Sequence, residues 1–119
     1  MNVAKVALVG FGTIGTGVAR LLLEHRSRIE RRVGRPVELV RIVDKDLTRP
    51  RDVDLPGGLL TDDIEAVIDD PEIACVIELR GGLEPARTFM LRFLEAKKSV
   101  VTANKALLAT HGKELFAKA

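Results

Sequence analysis

The chain has 119 residues, 46% hydrophobic and 30% charged, with nineteen Lys and Arg against seventeen Asp and Glu for a net charge of +2. This is the composition of one small soluble domain, long enough to bury a core yet near the low end of usual domain size. It offers no strong positive field for nucleic acid, no apolar run of the roughly eighteen residues a membrane span needs, and, with Cys75 as the sole cysteine, no internal disulfide framework.

Met1-Asn2 leads directly into an apolar run at residues 3–9, leaving no room for a signal segment, so the cytoplasm is the expected compartment. The run reads as a first strand and feeds into Gly10-x-Gly12-x-x-Gly15. In that context the spacing points to a dinucleotide. Gly10 would make the tight turn, Gly12 would leave space for a pyrophosphate, and Gly15 would let the next helix approach the sheet. Backbone N–H groups at Thr13, Ile14 and Gly15 would then face the phosphates.

Ile14, Val18, Leu21, Leu22 and Ile29 recur at helical spacing and predict a single helix over residues 13–32 with one buried stripe. Its basic end (Arg26, Arg28, Arg31, Arg32, Arg35) is interrupted by Glu24 and Glu30, and positive charge at a helix C-terminus has a local electrostatic explanation. Gly34-Arg-Pro36 breaks the helix, and residues 37–43 form a second strand ending at Asp44. From there an acidic side chain reaches adenosine ribose hydroxyls, or else simply makes a turn ahead of Lys45. Asp44 would repel a 2′-phosphate, whereas Arg41, Lys45, Arg49 and Arg51 would neutralise one, so NAD and NADP both stay open.

Residues 45–58 read as loop, with a very short third strand at Leu59-Leu60. Thr61 or Asp62 caps a brief helix containing Ile64, Val67 and Ile68 that Pro71 ends. Residues 73–79 read as a strand buried on both faces, as a helix-covered parallel sheet requires, with Gly81-Gly82 as its carboxyl-end turn. Within it Cys75 reads as a small buried side chain. Glu78 interrupts an apolar strand, and a buried carboxylate there must be paired, orienting loop backbone or a neighbouring base. Arg80 reads as facing solvent.

A helix over residues 84–97 turns Ala86, Phe89, Met90, Phe93 and Leu94 to the sheet. Residues 99–102 form the next strand, and Ala103-Asn104-Lys105 stands where it meets a further helix, which Gly112 divides. Residues 113–119 stop inside a helical pattern without a closing Gly, Asn or Pro, as expected of a chain cut short. The alternation predicts an α/β, doubly wound, mostly parallel sheet of Rossmann type, incomplete at its C-terminus, with ligands beyond the carboxyl ends of the strands. Three segments land on that edge: Gly10 to Gly15, the turn at Gly81-Gly82, and Ala103 to Lys105. Asn104 both donates and accepts hydrogen bonds. The Lys105 ammonium can stabilise an alkoxide or exchange a proton with a hydroxyl, although an exposed helix-start lysine is the plainer reading. His25 and His111 lack a metal-ligand spacing, and no Ser, His and acid set marks a hydrolase.

The stretches GFGTIGTGVARLL at 10–22, RPRDVDLPGGLLTDD at 49–63, CVIELRGGLEPAR at 75–87 and VVTANKALLATHG at 100–112 closely resemble the amino-terminal part of homoserine dehydrogenases. The resemblance covers nearly the whole chain in order. It implies a truncated NAD(P)-binding domain over 1–119, whose complete enzyme interconverts L-homoserine and L-aspartate 4-semialdehyde by hydride transfer on the route to threonine, isoleucine and methionine. It further implies pyrophosphate contact at Gly10, Gly12 and Gly15, a nicotinamide-side turn at Gly81 and Gly82, and Lys105 at the reaction centre. Further catalytic residues would come from a later domain absent here, so the chain alone is expected to be inactive; the full enzyme is expected to be a homodimer, without metal, nucleic acid or membrane. Arg80 departs from the apolar residue usual in the family before Gly-Gly. Two other readings are another amino-acid or semialdehyde dehydrogenase and a non-catalytic dinucleotide sensor.

Overall fold

A computed structural model describes residues 3–48, 53, 55–79, 85–102, 112, 113 and 117. Its elements run β1 (Ala4–Val9), α1 (Thr13–Glu24), α2 (Arg26–Val33), β2 (Val37–Val43), β3 (Leu60–Thr61), α3 (Glu65–Ile68), β4 (Ile73–Glu78), α4 (Ala86–Glu95) and β5 (Ser99–Thr102). The five strands form one sheet in the order β3-β2-β1-β4-β5, and every pairing is parallel. Strand order reverses at β1: the chain goes outward through β2 and β3, then returns to β1's other side with β4.

β1 sits at the centre because its residues serve both faces. Val6 and Leu8 join one core with Phe11, Ala19, Leu22, Leu39 and Ile42; Ala7 and Val9 join the other with Val43, Val67, Val76 and Phe93. Burial on both sides accounts for the nearly continuous apolar run of this strand. β5 lies at the end of the described order and alternates exposed with half-buried residues.

The helix expected over residues 13–32 is instead two helices, divided at His25, whose φ of −120° and ψ of 36° leave the helical region. α1 buries Gly15, Ala19 and Leu22 against the sheet, while α2 buries no residue and is mostly charged, so the apolar stripe that fixes the first helix ends before the second. Ile14 and Leu21, expected on the buried stripe, are exposed; Val18 and Ile29 pack against the core from its margin.

The third strand falls one residue later than expected. Neither Thr61 nor Asp62 caps α3, whose N-cap is Ile64 without a side-chain cap; instead Thr61 Oγ1 accepts the Asp63 N–H at 3.1 Å and Asp63 Oδ1 accepts the Glu65 N–H at 3.0 Å, turning the chain into the helix. In β4, Ala74 is exposed and Cys75 half-buried, so the burial expected on both faces holds only toward the strand's end. Burial pushes the Cys75 thiol above its ordinary range, disfavouring the thiolate a nucleophile needs. α4 buries Ala86, Met90 and Phe93, as its spacing predicts.

Candidate functional site

The registers place the last residues of all five strands side by side: Thr61 with Val43, Val43 with Val9, Val9 with Glu78, and Glu78 with Thr102. This carboxyl edge, at the point where strand order reverses, is where open α/β sheets bind ligands. The glycine loop emerges from its middle strand.

Gly10 takes a φ of +103°, which a side chain would oppose, and its N–H donates to the Val43 carbonyl at 2.9 Å. Phe11 is fully buried in the core and anchors the loop between two glycines. Gly12 caps α1 in extended backbone geometry. A Cβ on Gly15 would lie far inside contact distance of the Gly10 carbonyl oxygen and 3.0 Å from its carbonyl carbon, so only glycine allows this approach of helix to loop.

No side chain caps the start of α1, and its first turn carries no acidic residue. The Thr16 N–H already returns to Gly12 O at 2.8 Å, leaving the N–H groups of the first turn, at Thr13, Ile14 and Gly15, oriented as an anion site at the positive end of the helix dipole. Thr13 and Ile14 are exposed there, Ile14 by 69%.

Asp44 is half-buried beside this loop and holds it. Its Oδ2 accepts the Phe11 N–H at 2.7 Å, its Oδ1 accepts the Asp46 N–H at 3.1 Å, and its own N–H donates to Thr61 O at 3.0 Å. The carboxylate is thus both a turn former and a clamp on the glycine loop, a link that the sequence reading missed. Lys45, next in the chain, is exposed. Arg41 donates to the carbonyls of Val40 at 3.0 Å and Gly58 at 3.4 Å.

Glu78 is fully buried and accepts the Thr102 hydroxyl at 2.9 Å across the β4 and β5 ends. Thr102 is a second residue not singled out from sequence; its signal is a hydroxyl at the last position of a strand whose parallel neighbour ends in an acid. Gly81, Gly82, Asn104 and Lys105 lie outside the described residues, as do Arg49, Arg51, Arg80 and His111.

The family model for the homoserine dehydrogenase NAD-binding domain matches residues 10–119. This chain belongs to that family. The domain is 43% identical over 119 residues to homoserine dehydrogenase of Bacillus subtilis, covering 100% of this chain and 28% of the relative, and 46% identical over 110 residues to that of Corynebacterium glutamicum, covering 92% and 24%. Among solved structures, the homoserine dehydrogenase of Thiobacillus denitrificans superposes with a TM-score of 0.89 at 44% identity, over 99% of this chain and 27% of that one. The S. aureus enzyme at pH 7.5 gives 0.88 at 32% identity, over 98% and 30%. The chain therefore spans about a quarter of the length of these curated relatives.

The residues of the domain fit a nicotinamide dinucleotide. The positive φ of Gly10, the close approach of α1 to the loop that Gly15 allows and the uncapped, acid-free start of α1 together suit a pyrophosphate.

Proposed function

We propose that this domain binds NAD or NADP within a homoserine dehydrogenase that interconverts L-homoserine and L-aspartate 4-semialdehyde. The uncapped N-terminus of α1 behind the Gly10–Gly15 turn carries the reading, with family membership supplying the substrate. Gly10, Gly12, Thr13, Ile14 and Gly15 would hold the pyrophosphate through backbone N–H groups, while Asp44 and Lys45 would meet the adenosine ribose. Gly81, Gly82 and Asn104 would complete the nicotinamide side.

The cofactor, when bound, accepts hydride from the hydroxyl-bearing carbon of homoserine and returns it in the reverse direction. Lys105 would either stay an ammonium that stabilises the alkoxide by its charge or, as a neutral amine, take the hydroxyl proton during oxidation and return it from the resulting ammonium during reduction. The substrate is a small amino acid; residues that grip its amino and carboxylate groups belong to the remaining three quarters of a typical relative. We place the complete enzyme in the cytoplasm as a homodimer. No helix among the described residues is long and apolar enough to cross a membrane.

The test is homoserine-dependent formation of reduced nicotinamide by the complete protein, followed by absorbance, with NAD and NADP compared. Lys105→Ala is expected to lower turnover by about a hundredfold or more while dinucleotide affinity holds, in line with loss of a general acid or base. Unchanged turnover in that variant removes Lys105 from the reaction centre. Dinucleotide binding with no homoserine turnover in the unaltered complete protein would favour a sensor or a dehydrogenase of another substrate.

A further inference from the structure

The division at His25 leaves α2 with little to hold it in its own domain. It buries no residue, and Ile29 packs against the core only from the margin. Residues 24–35 carry Arg26, Arg28, Arg31, Arg32 and Arg35 against Glu24 and Glu30, so this segment is more positive than the whole chain, whose net charge is +2. Glu24 pairs backward with Arg20 at 3.3 Å. All five arginines are exposed, and among the described residues none of them makes a hydrogen bond or ion pair.

Arg28 stands three and four residues before Arg31 and Arg32, the spacing at which like charges on a helix repel. The macrodipole favours Arg31 and Arg32 in the last turn of α2, but it opposes Arg26 and Arg28 in the first. The domain thus bears a concentrated positive charge that its own packing does not offset. Beside it, where α2 turns into β2, lies a groove of about 550 Å³ lined by Ser27, Glu30, Arg31, Gly34, Arg35 and Pro36. Val33, just before the turn, is 56% exposed. Guanidinium forks at the wall of a groove suit carboxylates, which they grip through paired hydrogen bonds.

The same chain carries the complement. Residues 62–72 hold six acids, Asp62, Asp63, Glu65, Asp69, Asp70 and Glu72, and no base. Glu65 and Glu72 engage Arg92 and Lys5 of their own domain, whereas Asp62, Asp63 and Asp69 are exposed. α3, within this segment, packs through Val67 and Ile68 on the core of one sheet face, and Ile29 of α2 packs on the core of the other. The two surfaces therefore cannot meet inside one domain.

We propose that the α2 surface docks a second copy of this chain, its arginines meeting residues 62–72 of that copy. Because the two surfaces lie on opposite faces of the sheet, the contact is heterologous, and copies add until a ring closes or a row extends. It is additional to the homodimer proposed above and independent of the reaction the complete enzyme performs.

Sedimentation velocity of the complete protein is the test. Raising salt from about 50 mM to about 500 mM shortens the reach of exposed charges several-fold and is expected to weaken the association about tenfold or more. The double variant Arg28→Glu, Arg32→Glu should abolish it at low salt, and Asp62→Lys, Asp69→Lys should do so from the other surface. Mixed in equal amounts, the two variants should associate again, since the unaltered α2 of one meets the unaltered acids of the other. NAD(P) affinity of the α2 variant should not change, because α2 stands apart from the Gly10 turn.

Identical sedimentation at both salt concentrations overturns the proposal, as does an α2 variant that still associates or a mixture that stays apart. If the protein does not associate at low salt but binds a short DNA duplex that the α2 variant fails to bind, the occupant of this surface is a polyanion and the second copy is excluded.

Discussion

The β4 and β5 pair carries a buried ionisable side chain at each end, and the two ends satisfy it differently. At the carboxyl end Glu78 takes a side-chain hydroxyl from Thr102. At the amino end Lys98, 4% exposed, donates from Nζ to the carbonyls of Asp70 at 2.6 Å and Ile73 at 2.9 Å. Desolvation pulls the Lys98 ammonium below the ordinary lysine range, with the nearby Asp70 charge opposing the shift. Lys98 thus spans a loop carbonyl and a strand carbonyl on the side away from the glycine loop, where its role is to close the fold. Glu78 stands on the edge that also holds Gly10 and Asp44. The same strands therefore separate a stabilising end from a ligand-facing end.

The largest effect that would sharpen this division is expected at Gly15. Gly15→Ala drives a methyl into the Gly10 carbonyl, so loop or helix must shift. The expected cost is about 3 kcal/mol of stability, the upper part of the usual overpacking range, together with loss of measurable NAD(P) binding. Calorimetry and titration check both. Retained affinity would mean that the close approach of α1 to the loop is not what shapes the anion site.

Lys98→Met comes next and attacks the opposite end. It leaves the carbonyls of Asp70 and Ile73 without their buried donor, for an expected loss of about 1–3 kcal/mol in urea unfolding. Dinucleotide affinity of the folded variant should not change. If it weakened as much as stability, the two ends of β4 and β5 would be one unit, and the comparison would break.

Asp44→Ala tests the ligand-facing end more gently. It removes the acceptor of the Phe11 N–H and is expected to cost about 1–2 kcal/mol. Removing its negative charge should also raise affinity for NADP relative to NAD, since a 2′-phosphate would no longer meet a carboxylate. A constant ratio, measured by paired titrations, would confine Asp44 to clamping the loop.

Much of this arrangement is legible in the residues. β2 and β5 fall where their apolar runs predict, and the glycine spacing fixes the turn and the approach of α1 because both depend on chain positions a few residues apart. What the sequence hides is set at longer range. The division at His25 escapes periodicity because Ile29 keeps the helical spacing while the residues around it are charged. The exposure of Ile14 and Leu21 follows from which face Gly15 and Ala19 press against the sheet, and a small residue in contact is invisible to a count of large apolar ones. Phe11, which Asp44 clamps, and Thr102, which donates to Glu78, lie 33 and 24 residues away in the chain and are brought near by the sheet.

The smallest expected effect lies on the helices that cover the second core. Arg92 in α4 donates to both carboxylate oxygens of Glu65 in α3, at 2.6 and 2.8 Å, and these hydrogen bonds hold the Glu65 carboxyl below its ordinary value of 4.5. A carboxyl whose pKa is lower folded than unfolded contributes stability that is complete above the unfolded value and is lost as pH falls through the lowered one. Glu65→Gln should therefore be slightly less stable than the unaltered protein near neutrality, with the gap closing as pH falls below about 4. Both side chains are partly exposed, so solvent and salt keep the gap small. Urea midpoints of the two proteins across that pH interval decide the matter. A gap that ignores pH would show that the pair joins α3 to α4 by packing alone, and a change in NAD(P) affinity would carry its influence to the ligand-facing edge, where no charge effect from this pair is expected.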